Sequence, residues 1–199
     1  MQYLSQRLAV EPTRTREDRH SRGPVAVTQR ERILAAAEQL IAEKGCAGTS
    51  IEAIVKVAGV SSITFYEHFE DKEACFVAAF DQAVGEMRAE LVAAVPAELP
   101  WTDRVRAGLA VLLESIDADP PRARLCFVEA QKGGRELRAR YEAALDDITG
   151  EFSDSLGPAF VGGLAWLVRE RLELGGGEGV RDLLPRMTEI VLDPYLAHG

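Results

Sequence analysis

The stretch from Thr49 to Lys72, T-S-I-E-A-I-V-K-V-A-G-V-S-S-I-T-F-Y-E-H-F-E-D-K, constrains this chain more than any other. It has the form of two short helices joined by a tight turn. Thr49 and Glu52 stand three apart in capping-box order, which makes Thr49 the expected N-cap of the first. Ile51, Ile54, Val55 and Ala58 fall on one helical face. Gly59 follows where a helix leaves through a left-handed residue, a conformation glycine takes without a Cβ clash. Val60 fills the turn, and Ser61 is the expected N-cap of the second helix. There Phe65 and Phe69, four apart, can both face a core. Ser62, Ile63, Thr64, Tyr66 and His68 are left wholly or partly outward. A short helix with hydroxyls and aromatic edges on its outer face, held across such a turn, suits the major groove of DNA. Ser61, Ser62, Ile63 and Thr64 stand at its start, in reach of base edges, with Ile63 offering methyls to thymine.

The run A-G-V-S-S-I-T-F-Y-E-H-F-E-D-K-E-A resembles the helix-turn-helix and the start of the fourth helix in the TetR family of bacterial transcriptional regulators. The resemblance extends from Thr28 to about Phe80. It implies an all-α fold of about nine helices, with an N-terminal three-helix DNA-binding domain and a larger helical ligand-binding and dimerisation domain. It also implies that Thr49, Tyr66 and Lys72 contact phosphate. His68 is either a further phosphate contact or a partly buried packing residue. Many family members have Gly at the position of Ile63 and Arg or Lys at that of Ser62. The recognition face here is therefore bulkier and less basic, a departure that bears on operator sequence.

The net charge of −9 looks wrong for a DNA-binding protein until it is divided. Ten basic and ten acidic residues precede Glu73, and the whole excess of acid lies beyond it. Phosphate affinity depends on local cations rather than on the total. Residues 1–27 carry Arg7, Arg14, Arg16, Arg19 and Arg22 with little helical period. They are either a frayed end or a basic arm along the DNA. Residues 28–72 form the expected DNA-binding domain and 73–199 the effector-binding and dimerisation domain. Thr28 with Glu31 caps the first helix, whose buried stripe is Ile33, Ala36, Ala37, Leu40 and Ile41, and Gly45 ends it. Asp71 caps a fourth helix running to about Ala94, the expected link between the domains. Five further amphipathic helices follow, the last ended by Pro194. No apolar run approaches a membrane span, and the first twelve residues lack the apolar centre of a secretory signal. Cys46, Cys75 and Cys126 match neither a disulfide framework nor a metal site. A cytoplasmic protein without membrane, metal or cofactor is expected.

The resemblance implies a largely apolar cavity enclosed by the fourth to seventh helices. Its candidate walls are Phe80, Met87, Leu109, Leu113, Phe127, Tyr141 and Phe152, which suit a hydrophobic small-molecule effector. Each could equally be ordinary core. Glu129 is either a polar anchor for such a ligand or a solvent-facing residue. Gly162 and Gly163 permit close helix approach, and Leu164, Trp166, Leu167, Leu184 and Met187 supply apolar area. The resemblance makes these a homodimer interface of four helices. Two recognition helices would then meet a near-palindromic, double-stranded operator about 34 Å apart. The expected function is a ligand-released repressor. The alternative is a helical interaction or co-regulator protein that does not itself bind DNA. G-x-S-x-G, H-E-x-x-H and G-x-x-x-x-G-K-S/T are all missing, so no enzyme is expected. A truncation starting at Pro24 decides the role of the first residues. Lower operator affinity with a shallower salt slope identifies an arm, and unchanged binding identifies an inert extension.

Overall fold

A computed structural model describes residues 27–96, 98–151, 157–174 and 179–196. The basic N-terminal residues, Phe152 and the Gly175–Gly177 loop fall outside the described residues. Among those described, the fold is all-α: α1 (Gln29–Gly48), α2 (Ile51–Ala58), α3 (Ser62–His68), α4 (Lys72–Ala94), α5 (Trp101–Ala118), α6 (Pro120–Arg124), α7 (Arg135–Glu151), α8 (Pro158–Leu174) and α9 (Leu184–Leu196). A π-helical turn, Leu125–Glu129, extends α6, and a 3-10 turn, Val180–Leu183, leads into α9. α9 continues two residues past Pro194, which therefore does not end it.

The local signals explain where these helices begin. Thr28 and Glu31 complete a reciprocal capping box at α1. Asp71 accepts from the Ala74 N–H at 2.8 Å to start α4. Asp119 caps α6, where Pro120 and Pro121 occupy positions whose N–H groups would be unpaired anyway. Gly45, at φ 73° and ψ 167°, breaks the helical path of α1 before its last residues.

Two hydrophobic cores result. One joins α1–α3 with α4, the π-turn and α7 through Ile33, Ile41, Phe65, Phe76, Phe80 and Leu125. The other joins α5 and α6 with α8, α9 and the 3-10 turn through Leu113, Ile116, Val168 and Met187. Leu112 and Phe127 pack against both and mark the seam. The first core runs past Lys72, so the helix-turn-helix is seated on the body of the protein rather than hung from it.

Polar contacts tie α1 to that body. Arg124 donates from Nε to the Ala42 carbonyl on α1 at 3.1 Å and from Nη1 to the Leu172 carbonyl on α8 at 3.3 Å. Glu129 is buried, not solvent-facing. The π-turn inserts an extra residue per turn and shifts the helical phase, so a 3.6-residue period misplaces this carboxylate. It lies beside the kink of α1, where a Cβ on Gly45 would come within 3.0 Å of its Oε2. Near the same joint, Arg122 is buried and pairs with Glu90, Glu86 and Asp119. Half-buried Glu38 on α1 faces this cluster. Burial, then repulsion from Asp119 and Glu86, pushes its carboxyl up to about 7, with Arg122 opposing.

That shift fixes the sign of a pH effect. Between the ordinary carboxyl value and about 7 the folded state holds a proton that the unfolded state has lost. The Glu38 contribution to stability therefore falls as pH rises through this window. Glu38→Gln is expected to raise Tm at pH 8 and to lose that advantage near pH 5, as followed by thermal unfolding across pH.

Candidate nucleic-acid interface

α3 has only seven residues, far fewer than the ~12–15 that an isolated helix needs in water. Tertiary anchoring must therefore hold it. Phe65 is 0% exposed and Phe69 is buried beneath it, with ring centroids 5.6 Å apart. Burying one such ring is worth about 1.5–3 kcal/mol. The start is fixed by Ser61, whose Oγ accepts from the Thr64 N–H at 3.0 Å and also pairs with the Thr64 hydroxyl. Gly59 takes the left-handed conformation expected of it, φ 64°, and the Val60 N–H returns to the Val55 carbonyl at 3.1 Å. Arg32 on α1 adds a clamp that no periodicity foretells. Its Nη1 donates to the Ala58 carbonyl at 3.2 Å and to that of Gly59 at 3.5 Å.

The outer face is open. Ile63 is 74% exposed and Tyr66 58% exposed, and Ser61, Ser62 and His68 are exposed too. Thr64 is half-buried, and both it and Ser61 have their hydroxyls engaged in the cap. Ser62 and Ile63 are thus the unencumbered side chains at the helix start. Lys72 is half-buried at the start of α4, its Nζ 5.8 Å from the Phe76 ring centroid, and Arg30 lies 5.5 Å from that of Phe69.

Thr49 requires a correction. It is 1% exposed, and its hydroxyl donates to the Gly45 carbonyl at 2.9 Å. The kink at Gly45 leaves that carbonyl without a helical partner, and Thr49 supplies one. Ser50 takes the capping position instead, accepting from the Ala53 N–H at 3.3 Å, and it presents the exposed hydroxyl at this helix start.

The candidate effector walls do not converge on one cavity. Phe80, Met87 and Tyr141 belong to the first core, Leu109 and Leu113 to the second, and Phe127 to the seam. One shallow cavity of about 180 Å³ reaches Leu113, beside Ala110, Glu114, Arg181 and Leu184. Tyr141 sits edge-on to Phe80 at 6.4 Å, and burial raises its phenol pKa, against the pull of the Arg169 charge.

The candidate dimer residues divide. Gly162 and Gly163 are exposed with open space where a Cβ would stand, and Trp166 is 46% exposed. Leu164 and Leu184 are half-buried. Leu167 and Met187 are corrected to core residues, because they pack among Leu113, Val168 and Val191 within the protomer. Leu174, 75% exposed, extends the outer face of α8 and was not singled out from the sequence.

A short helix capped by Ser61 and displayed from an all-helical body through the turn at Gly59 has the geometry of a helix-turn-helix. Residues 33–79 match the family model described as bacterial regulatory proteins, tetR family. The regulator EthR of Mycolicibacterium smegmatis is 32% identical over 111 residues, covering 56% of this chain and 43% of that protein. The match thus spans less than half of that relative's length. Among solved structures, a TetR-like regulator from Rhodococcus sp. RHA1 superposes with TM-score 0.68 at 19% identity, over 88% of this chain and 99% of that one. Bacillus subtilis FadR in complex with stearoyl-CoA gives 0.64 at 20% identity, over 80% and 96%. Residues 33–79 thus carry a helix-turn-helix domain of the tetR type, and the whole described chain has the fold of these solved regulators.

Phe65→Ala should lower stability by about 3–5 kcal/mol, the usual cost of emptying a buried ring site. Denaturant unfolding measures this, and loss of the α3 outer face should abolish operator binding in the same variant.

Proposed function

We propose that the protein is a cytoplasmic repressor that binds a near-palindromic operator as a homodimer and is released by a hydrophobic small molecule. The observation that carries this reading is the contrast across α3, with Phe65 sealed from solvent while Ile63 and Tyr66 stand open. In it, residues 28–72 read DNA, and residues 73–199 bind the effector and pair the subunits. Ser62 and Ile63 meet base edges, while Ser61 and Thr64 hold the helix start at the groove. Tyr66, Lys72 and His68 contact phosphate, with Ser50 in place of Thr49. Dimerisation uses the outer face of α8 at Gly162, Gly163 and Trp166, flanked by Leu164 and Leu184. These glycines allow close approach and Trp166 supplies apolar area.

Release needs an effector that binds one spacing of the two reading heads better than another. Two levers join the body to α1–α3. α4 leaves the helix-turn-helix at Lys72 and continues to Ala94, and Arg124 with Glu129 grips the far end of α1. A ligand that parts the seam at Phe127 and Leu112 would act on both. That FadR carries stearoyl-CoA on this fold supports a hydrophobic effector.

Gel-shift titrations against operator and unrelated duplexes test the assignment. Tyr66→Phe and Lys72→Ala should weaken binding to all sequences alike, with Lys72→Ala also reducing the salt slope by about one. Changes at Ser62 or Ile63 should alter sequence preference, and uniform weakening by all four would refute the division. Sedimentation at micromolar concentration should show a dimer, which Trp166→Glu should dissociate.

A further inference from the structure

Where the π-turn, α7 and α8 meet, three polar side chains form a hydrogen-bonded cluster. Gln131 organises it. Its Nε2 donates to the Phe127 carbonyl at 3.1 Å and to the Tyr141 hydroxyl at 3.0 Å, and its Oε1 accepts from Arg169 Nη1 at 2.9 Å. With these bonds in place, two donors of the cluster are available to a ligand. The Arg169 Nε is buried without a hydrogen-bond partner. The Glu173 carboxylate lies 3.7 Å from it, too far for a hydrogen bond, and is already held by Lys132 at 2.8 Å. Tyr141 receives the Gln131 bond as an acceptor, which leaves its own O–H proton free to donate.

Charge and surroundings agree on what would satisfy them. Arg124, Glu129, Lys132, Glu173 and Arg169 form a chain of ion pairs with three cations and two carboxylates, leaving one positive charge in excess. Directly beside the donors stand apolar groups: the Phe80 ring edge-on to Tyr141, and Phe127, whose carbonyl Gln131 holds. Phe127 with Leu112 is also the seam between the two cores. An unfilled guanidinium N–H and a phenol O–H flanking one amide match the two oxygens of a carboxylate.

We propose that Arg169, Tyr141 and Gln131 form the polar end of a ligand site and receive the carboxylate head of an amphipathic molecule whose apolar tail enters the seam at Phe127 and Leu112. This rests on the effector reading above and gives that effector a charge and a direction. The head fills both open donors and neutralises the excess cation. Because Lys132 links Glu173 to Glu129, the bound anion also rebalances the ion pairs that end beside the kink of α1.

The test is calorimetric titration of the full chain with saturated carboxylates from octanoate to palmitate, below their micelle concentrations, beside the methyl esters of the same acids. At the best chain length the acid should bind at least about tenfold tighter than its ester, the worth of one charge-assisted hydrogen bond. Arg169→Met should erase that preference by lowering acid affinity far more than ester affinity, and retained ester binding shows that the site is still folded. Arg169→Lys should restore part of the preference, and Tyr141→Phe should reduce it a few-fold. Equal binding of acid and ester, or equal loss of both in Arg169→Met, would overturn the carboxylate anchor and leave a hydrophobic effector standing. If no member of either series binds, the anchor and the effector reading fail together.

Discussion

Burial of Phe65 and Phe69 under α1 is the interaction on which the rest of the structure depends. Seven residues cannot hold a helix in water, and the outer face of α3 is largely exposed. Its inner face supplies the stability, and the Ser61 cap and the left-handed Gly59 supply the direction. Arg32 then pins the turn to α1. The consequence is an exposed surface at Ser62 and Ile63, which make none of the contacts that hold the helix in place. Fold stability is carried by the inner side of these two turns, which leaves the outer side free for the base contacts proposed above.

The second consequence is mechanical. Because the core beneath α3 continues through Phe76 and Phe80 into α4, the π-turn and α7, α3 shares one packed core with part of the body. α1 is held at its far end by Arg124 and lies against buried Glu129, and the Arg122 and Glu38 cluster lies close by. Buried polar joints of this kind have few alternative geometries, because each unpaired group is costly. A small displacement along the seam at Phe127 would therefore be passed on rather than absorbed.

Much of this was legible in the sequence where the determinant is local. Thr28, Ser61 and Asp71 each find their partner three residues on, and Gly59 declares its own conformation, so the helix-turn-helix and its limits follow from short windows. Thr49 shows where such reasoning stops. Two adjacent hydroxyls could cap α2, and the choice went to Ser50 because the kink at Gly45 claimed Thr49. Glu129 was hidden by the phase shift of the π-turn. Leu167 and Met187 obey the same apolar period whether they face a partner subunit or their own core, and only three-dimensional packing separates the two. The Gln131 cluster joins side chains from three elements, and nothing in the spacing of Gln131, Tyr141 and Arg169 announces it.

The central claim is that the outer side of α3 docks in the groove of a duplex. Selection from a random pool of double-stranded oligonucleotides by the purified chain, at low ionic strength, tests it most directly. The account predicts enrichment of a sequence with two inverted half-sites about one helical turn apart. A pool that remains unenriched after repeated rounds would contradict it.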